Sequence, residues 1–421
     1  MKKIVHFIFV IVLGMLYGCN DSVEEHVTYK INEPVFMPTA ELRNSVRVLE
    51  EPQEIAGQGK ICFYDGYLYL SEPGKGIHII DNRNPSSPQS IGFIELIGNA
   101  DLAVRNDMLY ADSYVDLVWF DIKNPAKPVL KDRLENVFQQ SLPIPEAPQF
   151  GIDYNMCFSA DGKSKGVVVG WKVTERKDRV KDYSGCWDNG YFASAESSTG
   201  PKGNGLMGSM SRFGLYQDYL YSVINNQMEI FHIADETPVK TTNSIYIGRD
   251  VETIFSYKEN MFLGTPTGML IYSVTDPLKP EFQSSISHVY GCDPVVVEND
   301  LAYVTIHSGD FCGQENNELF IIDVSNVKKP QQIVSYAMTH PKGLGIDNKT
   351  LFICDEGLKI YNAADPQKIM SNRLAHYSGM DGLDVIPFNN ILMMIADDGI
   401  YQYDYSDLQN IRQLSKLPVK K

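Results

Sequence analysis

Short apolar runs recur along the chain, each ending on a small polar residue and followed by a turn rich in Asn, Asp and Pro. The clearest copies are Gly76-Ile77-His78-Ile79-Ile80-Asp81, before Asn84-Pro85-Ser86-Ser87-Pro88, and Leu117-Val118-Trp119-Phe120-Asp121, before Asn124-Pro125-Ala126-Lys127-Pro128. Leu319-Phe320-Ile321-Ile322-Asp323, ahead of Asn326 and Pro330, is a third. Weaker copies end at His232, Ser273, Asn362 and Asp404. The seven anchors lie at 81, 121, 232, 273, 323, 362 and 404, with spacings of 40, 111, 41, 50, 39 and 42. Four spacings cluster near 40. The value 50 is one period plus about 10, and 111 is one period plus about 71, or two stretched periods. A fixed period of this size predicts one supersecondary unit, repeated.

Each period has the same internal order. In the first, Lys60–Tyr64 is strand-like, Asp65-Gly66 turns, and Tyr67–Ser71 and Gly76–Asp81 follow as further strands. Gln89–Leu96 is the fourth, after the proline-marked turn. Alternating apolar residues between Gly, Asn, Asp and Pro punctuation predict short antiparallel strands. No stretch shows a useful amphipathic helix. Four strands per period of about 40 residues give an all-β propeller of about seven four-stranded blades. The alternative is eight blades, with Val167–Glu175 as a strand pair of a hidden blade inside the 139–211 insertion. Ser45–Ile55 would add an outer strand closing the ring beside the C-terminal segment. Asx side chains close such turns by accepting a backbone N–H two residues on. Proline cannot donate to a ladder, so the proline pair marks entry to an edge strand.

At these residues the chain resembles a known repeat. Leu319–Asp323, Gly76–Asp81 and Leu117–Asp121 resemble the LVIVD repeat. The stretch Gly59–Val137, including Tyr110-Ala111-Asp112-Ser113-Tyr114, is similar to a family of LVIVD-repeat lipoproteins. The resemblance covers most of residues 59–404 and implies a propeller-like fold and an envelope location. It supplies no catalytic motif.

The N-terminus points to the same compartment. Lys2 and Lys3 precede an uncharged run from Ile4 to Leu16, with His6 its one titratable residue. This is the pattern of a secretory signal, and it falls short of the roughly 20 apolar residues of a membrane span. Leu16-Tyr17-Gly18-Cys19 resembles the lipobox of bacterial lipoproteins, which implies a signal peptide over 1–18 and lipidation of Cys19. The acidic stretch Asn20–Glu25 resembles a surface-export signal of some Gram-negative lipoproteins. Read from its composition alone, it is a solvated tether. The expected organisation is signal peptide 1–18, flexible tether 19–40, and a single propeller domain over 41–421 with its insertion at 139–211. The expected location is the outer membrane, facing the cell surface, with the lipid anchor in the membrane.

Removing residues 1–18 takes two lysines, so 421 less 18 leaves 403 residues and the formal charge moves from −16 to −18. Such a balance excludes nucleic acid as the expected partner, because phosphate binding needs a basic surface. Besides Cys19 there are Cys62, Cys157, Cys186, Cys292, Cys312 and Cys354, with no CxxC pair to suggest a zinc ribbon. Cys157–Cys186 and Cys292–Cys312 are candidate disulfides that would clip long irregular segments. They are two choices among the 15 full pairings that six cysteines allow. Cys62 and Cys354 sit in apolar runs and read as core residues.

Blade topology then locates the candidate sites. D-to-A and B-to-C connections share one face; A-to-B and C-to-D turns lie on the other. The long insertion (139–211) and a short one (306–317) therefore emerge on the same face, where repeat proteins collect binding loops. The long one carries Trp171, Tyr183, Trp187, Tyr191 and Phe192, which would stack on sugars, anchor a protein, or pack the loop as a satellite core. The B-to-C hairpins of that face carry Glu72, Asp112, Asp116, Asp310, Asp355, Glu356, Asp397 and Asp398. Converging, they would hold a hard cation such as calcium or attract a basic partner; otherwise they are ordinary turn residues. No other cofactor is implied.

Aligning the A strands places Lys60, Asp101, Arg212, Thr253, Pro294, Gly343 and Asp384 around the channel mouth on that face, Asp384 after one extra residue. Such a ring holds water or a small ligand, or pairs with itself. His307, His340 and His376 fall near strand ends with no metal-ligand spacing. There is no GxSxG, HExxH or phosphate loop. The reading favoured is a non-catalytic, envelope-displayed binding module for an unidentified protein or glycan. The alternative is a glycan-active propeller enzyme with paired carboxylates.

Overall fold

All seven anchors close the third strand of a four-stranded antiparallel sheet. These assignments come from a computed structural model, which describes residues 26–139, 142–145, 147–157, 165–179, 206–207, 209, 211–224, 226–235, 237–241, 244–248, 251–287, 294–307 and 317–420. Blade one comprises Ile61–Tyr64 (strand A), Tyr67–Glu72 (B), Gly76–Asp81 (C) and Gln89–Glu95 (D). Blade two spans Leu102–Leu134 and blade three Phe213–Tyr246, its outer strand split into Val239–Lys240 and Ile245–Tyr246. Blades four to seven span Thr253–Ser287, Val295–Ala337, Pro341–Tyr377 and Gly382–Pro418. The molecule is a seven-bladed propeller.

Local chemistry explains why the period is legible. The residue ending strand C accepts a backbone N–H two positions on. Arg83 N donates to Asp81 (3.1 Å), Lys123 N to Asp121 (3.0 Å), Ser325 N to Asp323 (2.9 Å), Ala364 N to Asn362 (2.9 Å) and Ser406 N to Asp404 (3.0 Å). Three residues later a second Asx turn follows: Asn84, Asn124, Asp276, Asn326, Asp365 and Asp407 each accept from the residue two on. The chain then enters strand D through a register shift in blades one, two and four to seven, a bulge that bends the outer edge. A-to-B turns such as Asn106-Asp107, Asn299-Asp300 and Asn389-Asn390 hold both residues at positive φ, the type I′ geometry that matches strand twist.

The core lies between blade faces. Trp119, Tyr110 and Leu109 of blade two pack in one cluster with Tyr69 and Ile79 of blade one and Leu220 and Phe231 of blade three. The ring closes without a shared strand. Ile61, Leu68, Leu70 and Ile80 of blade one share a cluster with Ile386, Met393, Ile395 and Ile400 of blade seven. Buried Asn82 donates to Gln402 Oε1 at 3.0 Å, and Gln402 Nε2 donates back at 2.5 Å. Cys62 and Cys354 are buried in these clusters.

Three sequence expectations change. Among the described residues Val167–Arg179 forms no eighth blade: it pairs with His26–Met37 in a two-stranded sheet. The expected tether therefore contains a strand over His26–Met37 and a short helix over Thr39–Asn44. Of Ser45–Ile55, only Arg47–Leu49 forms a strand, and it extends the outer edge of blade one opposite Phe93–Glu95. Near the C-terminus, Lys420 N donates to Ile55 O at 2.7 Å.

The chain divides into two compact units. One comprises Met1–Val35, Ile144–Lys163 and Gly170–Gly190; the other comprises Phe36–Pro143, Ser164–Val169 and Tyr191–Lys421 and carries the seven blades. Within the first, Asn32 Nδ2 donates to Ala147 O (3.0 Å) and Phe150 O (2.5 Å), and Arg176 pairs with Glu33 at 2.9 Å. No helix among the described residues is long and apolar enough to cross a membrane.

Candidate functional site

Strand direction places the A-strand starts and the B-strand ends on one face, and most of the predicted acidic residues fall there. Each has a local partner. Asp112 Oδ1 accepts Ala100 N (2.7 Å), Asp101 N (2.8 Å) and Asn99 Nδ2 (3.1 Å). Asp355 accepts His340 N (2.7 Å) and Lys359 Nζ (2.8 Å). Glu72 meets His78 Nε2 at 2.7 Å and Lys75 Nζ at 2.5 Å. Asp397 Oδ1 accepts Asp381 N at 3.2 Å. Asp398 accepts Tyr401 Oη at 2.9 Å and pairs with Lys416. A carboxylate near the end of strand B thus commonly captures the N–H groups of the connection into strand A of the same blade. That satisfies donors which would otherwise be stranded at a sheet edge.

Asp116 is different in kind. It is fully buried and takes Arg43 Nε (2.8 Å) and Nη2 (3.0 Å), Arg133 Nη1 (3.1 Å) and Asn136 N (2.9 Å). Burial opposes its charge, but the two guanidiniums and the amide together hold its carboxyl below the usual range. It fastens the Thr39–Asn44 helix to blade two.

Glu356, Asp381, Asp397 and Asp398 border an open depression of about 600 Å³ at the blade six–seven mouth. Asp381 pairs with Lys342 at 2.6 Å. No group of three or more metal-ligating side chains occurs among the described residues. His307 and His340 meet edge to face with centroids 5.6 Å apart, whereas His376 Nε2 lies 3.0 Å from Glu356 O.

The axial mouth is the most organised part of this face. Lys60, Asp101 and Arg212 immediately precede their inner strands, and Asp384 lies in the third position of its own. The extra residue needed to align Asp384 is a register shift between Gly382 and Asp384. Gly343 is required here by close approach: a Cβ would meet Asp384 Oδ1 at 2.5 Å and Leu383 O at 2.6 Å. Thr253 is buried and its hydroxyl accepts Gly264 N at 2.9 Å.

The chain itself runs through this mouth. Leu206–Met207 pairs with the inner edge of blade one, opposite Phe63 and Cys62. Ser209 N and Oγ both donate to Asp384 Oδ1, at 2.9 and 2.7 Å, while Leu344 N of blade six donates to Ser209 Oγ at 2.8 Å. Ser211 Oγ lies 3.0 Å from both oxygens of Asp101, and Arg212 N and Phe213 N donate to Asp101 Oδ2. Ile254 N of blade four donates to Ser211 O at 3.1 Å. Met207, Ser209 and Ser211 are buried. The end of the long insertion is thus an axial strap touching blades one, two, four, six and seven. It falls within the insertion expected over 139–211. Its one signal in the sequence is composition: Leu206-Met207-Gly208-Ser209-Met210-Ser211, small and apolar residues without charge just before strand A of blade three.

Burial under this strap sets the electrostatics. Asp384 and Asp112 are each pushed up to about 6, chiefly by desolvation, against the pull of Ser209 on one and Arg212 on the other. Asp101 is raised for the same reason, opposed by Lys60 and Arg212.

Trp171 is half-buried in Val167–Arg179, in the unit without blades. Tyr183, Trp187, Tyr191, Phe192, Cys19, Asp310, Cys186, Cys292 and Cys312 lie outside the described residues. Cys157 is a buried free thiol, raised to about 11 by desolvation.

The LVIVD repeat model matches residues 59–94, 98–135 and 294–338, which are blades one, two and five. The chain carries LVIVD repeats. No curated protein matches its sequence. Among solved structures, a protein from Lactobacillus plantarum is similar at TM-score 0.52 and 11% identity, covering 85% of this chain and 96% of that one. A putative 6-phosphogluconolactonase from Bacteroides uniformis is similar at TM-score 0.51 and 9% identity, with 89% and 98% covered. BamB from Moraxella catarrhalis gives TM-score 0.47 and 8% identity, over 89% and 97%. At these identities the likeness is one of fold.

Proposed function

We propose that the chain is a non-catalytic, envelope-displayed lipoprotein that binds a protein or glycan through the loop-bearing face of its propeller. Acylated Cys19 would anchor it in the outer membrane, with the propeller facing outward. The observation that carries this reading is the contrast between faces. Both long connections leave one face, whereas the other is built of short repeated Asx turns. Long loops on a rigid frame are where recognition is placed.

The glycan-hydrolase alternative needs two accessible carboxylates, one held protonated. The carboxyls raised to about 6 are buried, Asp384 against Ser209. In the open depression Asp398 is instead held low by Lys416. This distribution favours binding over hydrolysis.

The test uses the chain from Cys19 onward, offered to a glycan array and to envelope extract with identification of captured proteins. A second version lacks residues 180–205 but keeps 206–211, so that the axis stays filled. Loss of a defined interaction in the shortened form supports the reading. An interaction untouched by the deletion removes the insertion from it, and turnover of an arrayed glycan replaces it with the enzyme.

A further inference from the structure

We infer that Leu206–Met207, Ser209 and Ser211 form a proton-linked plug of the propeller axis, seated more firmly in acid and loosened toward neutral pH. Seating buries Asp101 and Asp384, beside Asp112, against two cations. The charged and titratable groups facing the plug among the described residues are Lys60 and Cys62 of blade one, Asp101 and Asp112 of blade two, Arg212 at blade three and Asp384 of blade seven. Three carboxylates therefore share Lys60 and Arg212, and Arg212 lies 3.9 Å from Asp112.

The attachment of the plug is suited to reversible seating. Its strand pairing among the described residues is the two-residue bridge of Leu206–Met207 to blade one. Its other anchors are hydrogen bonds, and the carboxylates that accept from Ser209 and Ser211 are Asp384 and Asp101. Withdrawal would admit water to both. Water stabilises the ionised forms and returns the carboxyls toward the ordinary value near 4. The seated state thus binds protons more tightly than the open one. Its advantage is complete below about pH 4 and is lost as pH rises through about 6. Cys62, raised by burial beneath Leu206–Met207, stays a neutral thiol across this range.

The plug is also the last segment of the long insertion before blade three. The inference is independent of what the insertion binds.

Amide hydrogen exchange on the full chain tests it, with protection corrected for intrinsic rates at about pH 4.5 and about pH 7.5. The reporters are Ser209 N and Ile254 N, whose acceptors are Asp384 and Ser211. Tyr303 and Ile321, paired in the core of blade five, are the controls. The expected result is protection about ten-fold or more greater in acid at the axial amides, in excess of any change in blade five. Asp384→Asn keeps an acceptor without an ionisation, and should flatten the pH dependence at Ser209. Equal axial protection at both pH values, a blade-five change of the same size, or an undiminished slope in Asp384→Asn would each overturn the plug. Should the variant not fold, the axial-versus-blade-five comparison in the unmodified chain decides.

Discussion

The C-to-D turns and the axial mouth of this propeller use the same residue type in opposite electrical states. On the face of the C-to-D turns, Asp81, Asp121, Asp323 and Asp404 are partly exposed, and each caps its own turn. Their carboxyls lie below the usual range, Asp404 at about 2, drawn down by hydrogen bonds from side chains and backbone two residues on. At the axial mouth, Asp101, Asp112 and Asp384 are buried, and desolvation raises them. The turn carboxylates are repeated and do one local job. Of the axial carboxylates, Asp101 and Asp384 hold parts of the chain more than a hundred residues apart. Repetition marks what every blade needs; departure from it marks what the whole ring needs.

The largest effect that would break this comparison lies at the buried carboxylates. Asp116→Ala leaves Arg43 and Arg133 without their buried counter-charge and Asn136 N without its acceptor. A loss of about 3–4 kcal/mol in denaturant unfolding is expected. Asp101→Ala leaves the buried Arg212 amide without its carboxylate acceptor, while Phe213 N keeps Ser211 Oγ, and should cost about 3 kcal/mol. If either change proved as mild as a turn substitution, burial would not be what separates the two classes.

The seam comes next. Because no strand is shared, closure relies on blade-face packing and the reciprocal amide pair. Gln402→Ala orphans a buried Asn82 side chain, and about 2 kcal/mol of stability should be lost. A thermal scan in which blade one and blade seven report separately would sharpen this, since the seam is where the ring should open first.

At the turns the expected effect is smaller and has its own pH signature. Asp323→Ala removes a single capping bond from Ser325 N and should cost about 1 kcal/mol near neutrality. Its folded carboxyl is lowered, so that contribution is present above about pH 4 and lost as pH falls through the lowered value. The variant and the parent should therefore converge in acid. The axial carboxylates run the other way, favouring the folded state as pH falls from about 6 to about 4. Unfolding free energy measured across pH for Asp323→Ala and Asp384→Asn should separate the two signs.

What sequence could and could not foretell follows the same division. The seven anchors were legible because an Asx residue, a turn and a proline act within a few positions of each other. Each anchor is the last residue of a third strand. Lys60, Asp101 and Arg212 share one register position, just before their inner strands, because strand register carries from blade to blade. The strap was not legible. Its partners Asp101 and Asp384 are 110 and 175 residues from Ser211 and Ser209, and a two-residue strand has no periodicity to detect. The strand over His26–Met37 was hidden for a related reason: its partner, Val167–Arg179, lies far along the chain. The acidic hairpins were found as residues but not as roles, since the N–H groups they capture lie in the connections that precede strand A.

The smallest expected effect is at the seam's surface. Lys420 Nζ lies 2.7 Å from Glu54, joining the two ends of the blade-bearing chain, yet both side chains are more than two-thirds exposed. Water screens such a pair and holding two long side chains costs entropy, so Lys420→Ala should change stability by no more than about 0.5 kcal/mol. Next to Gln402→Ala this is a sharp contrast across one junction. Both substitutions remove a link between chain segments more than three hundred residues apart. Only the loss of Gln402 leaves a buried polar group without a partner. A Lys420 effect as large as the Gln402 effect would mean that the chain ends, and not the blade faces, hold the ring shut.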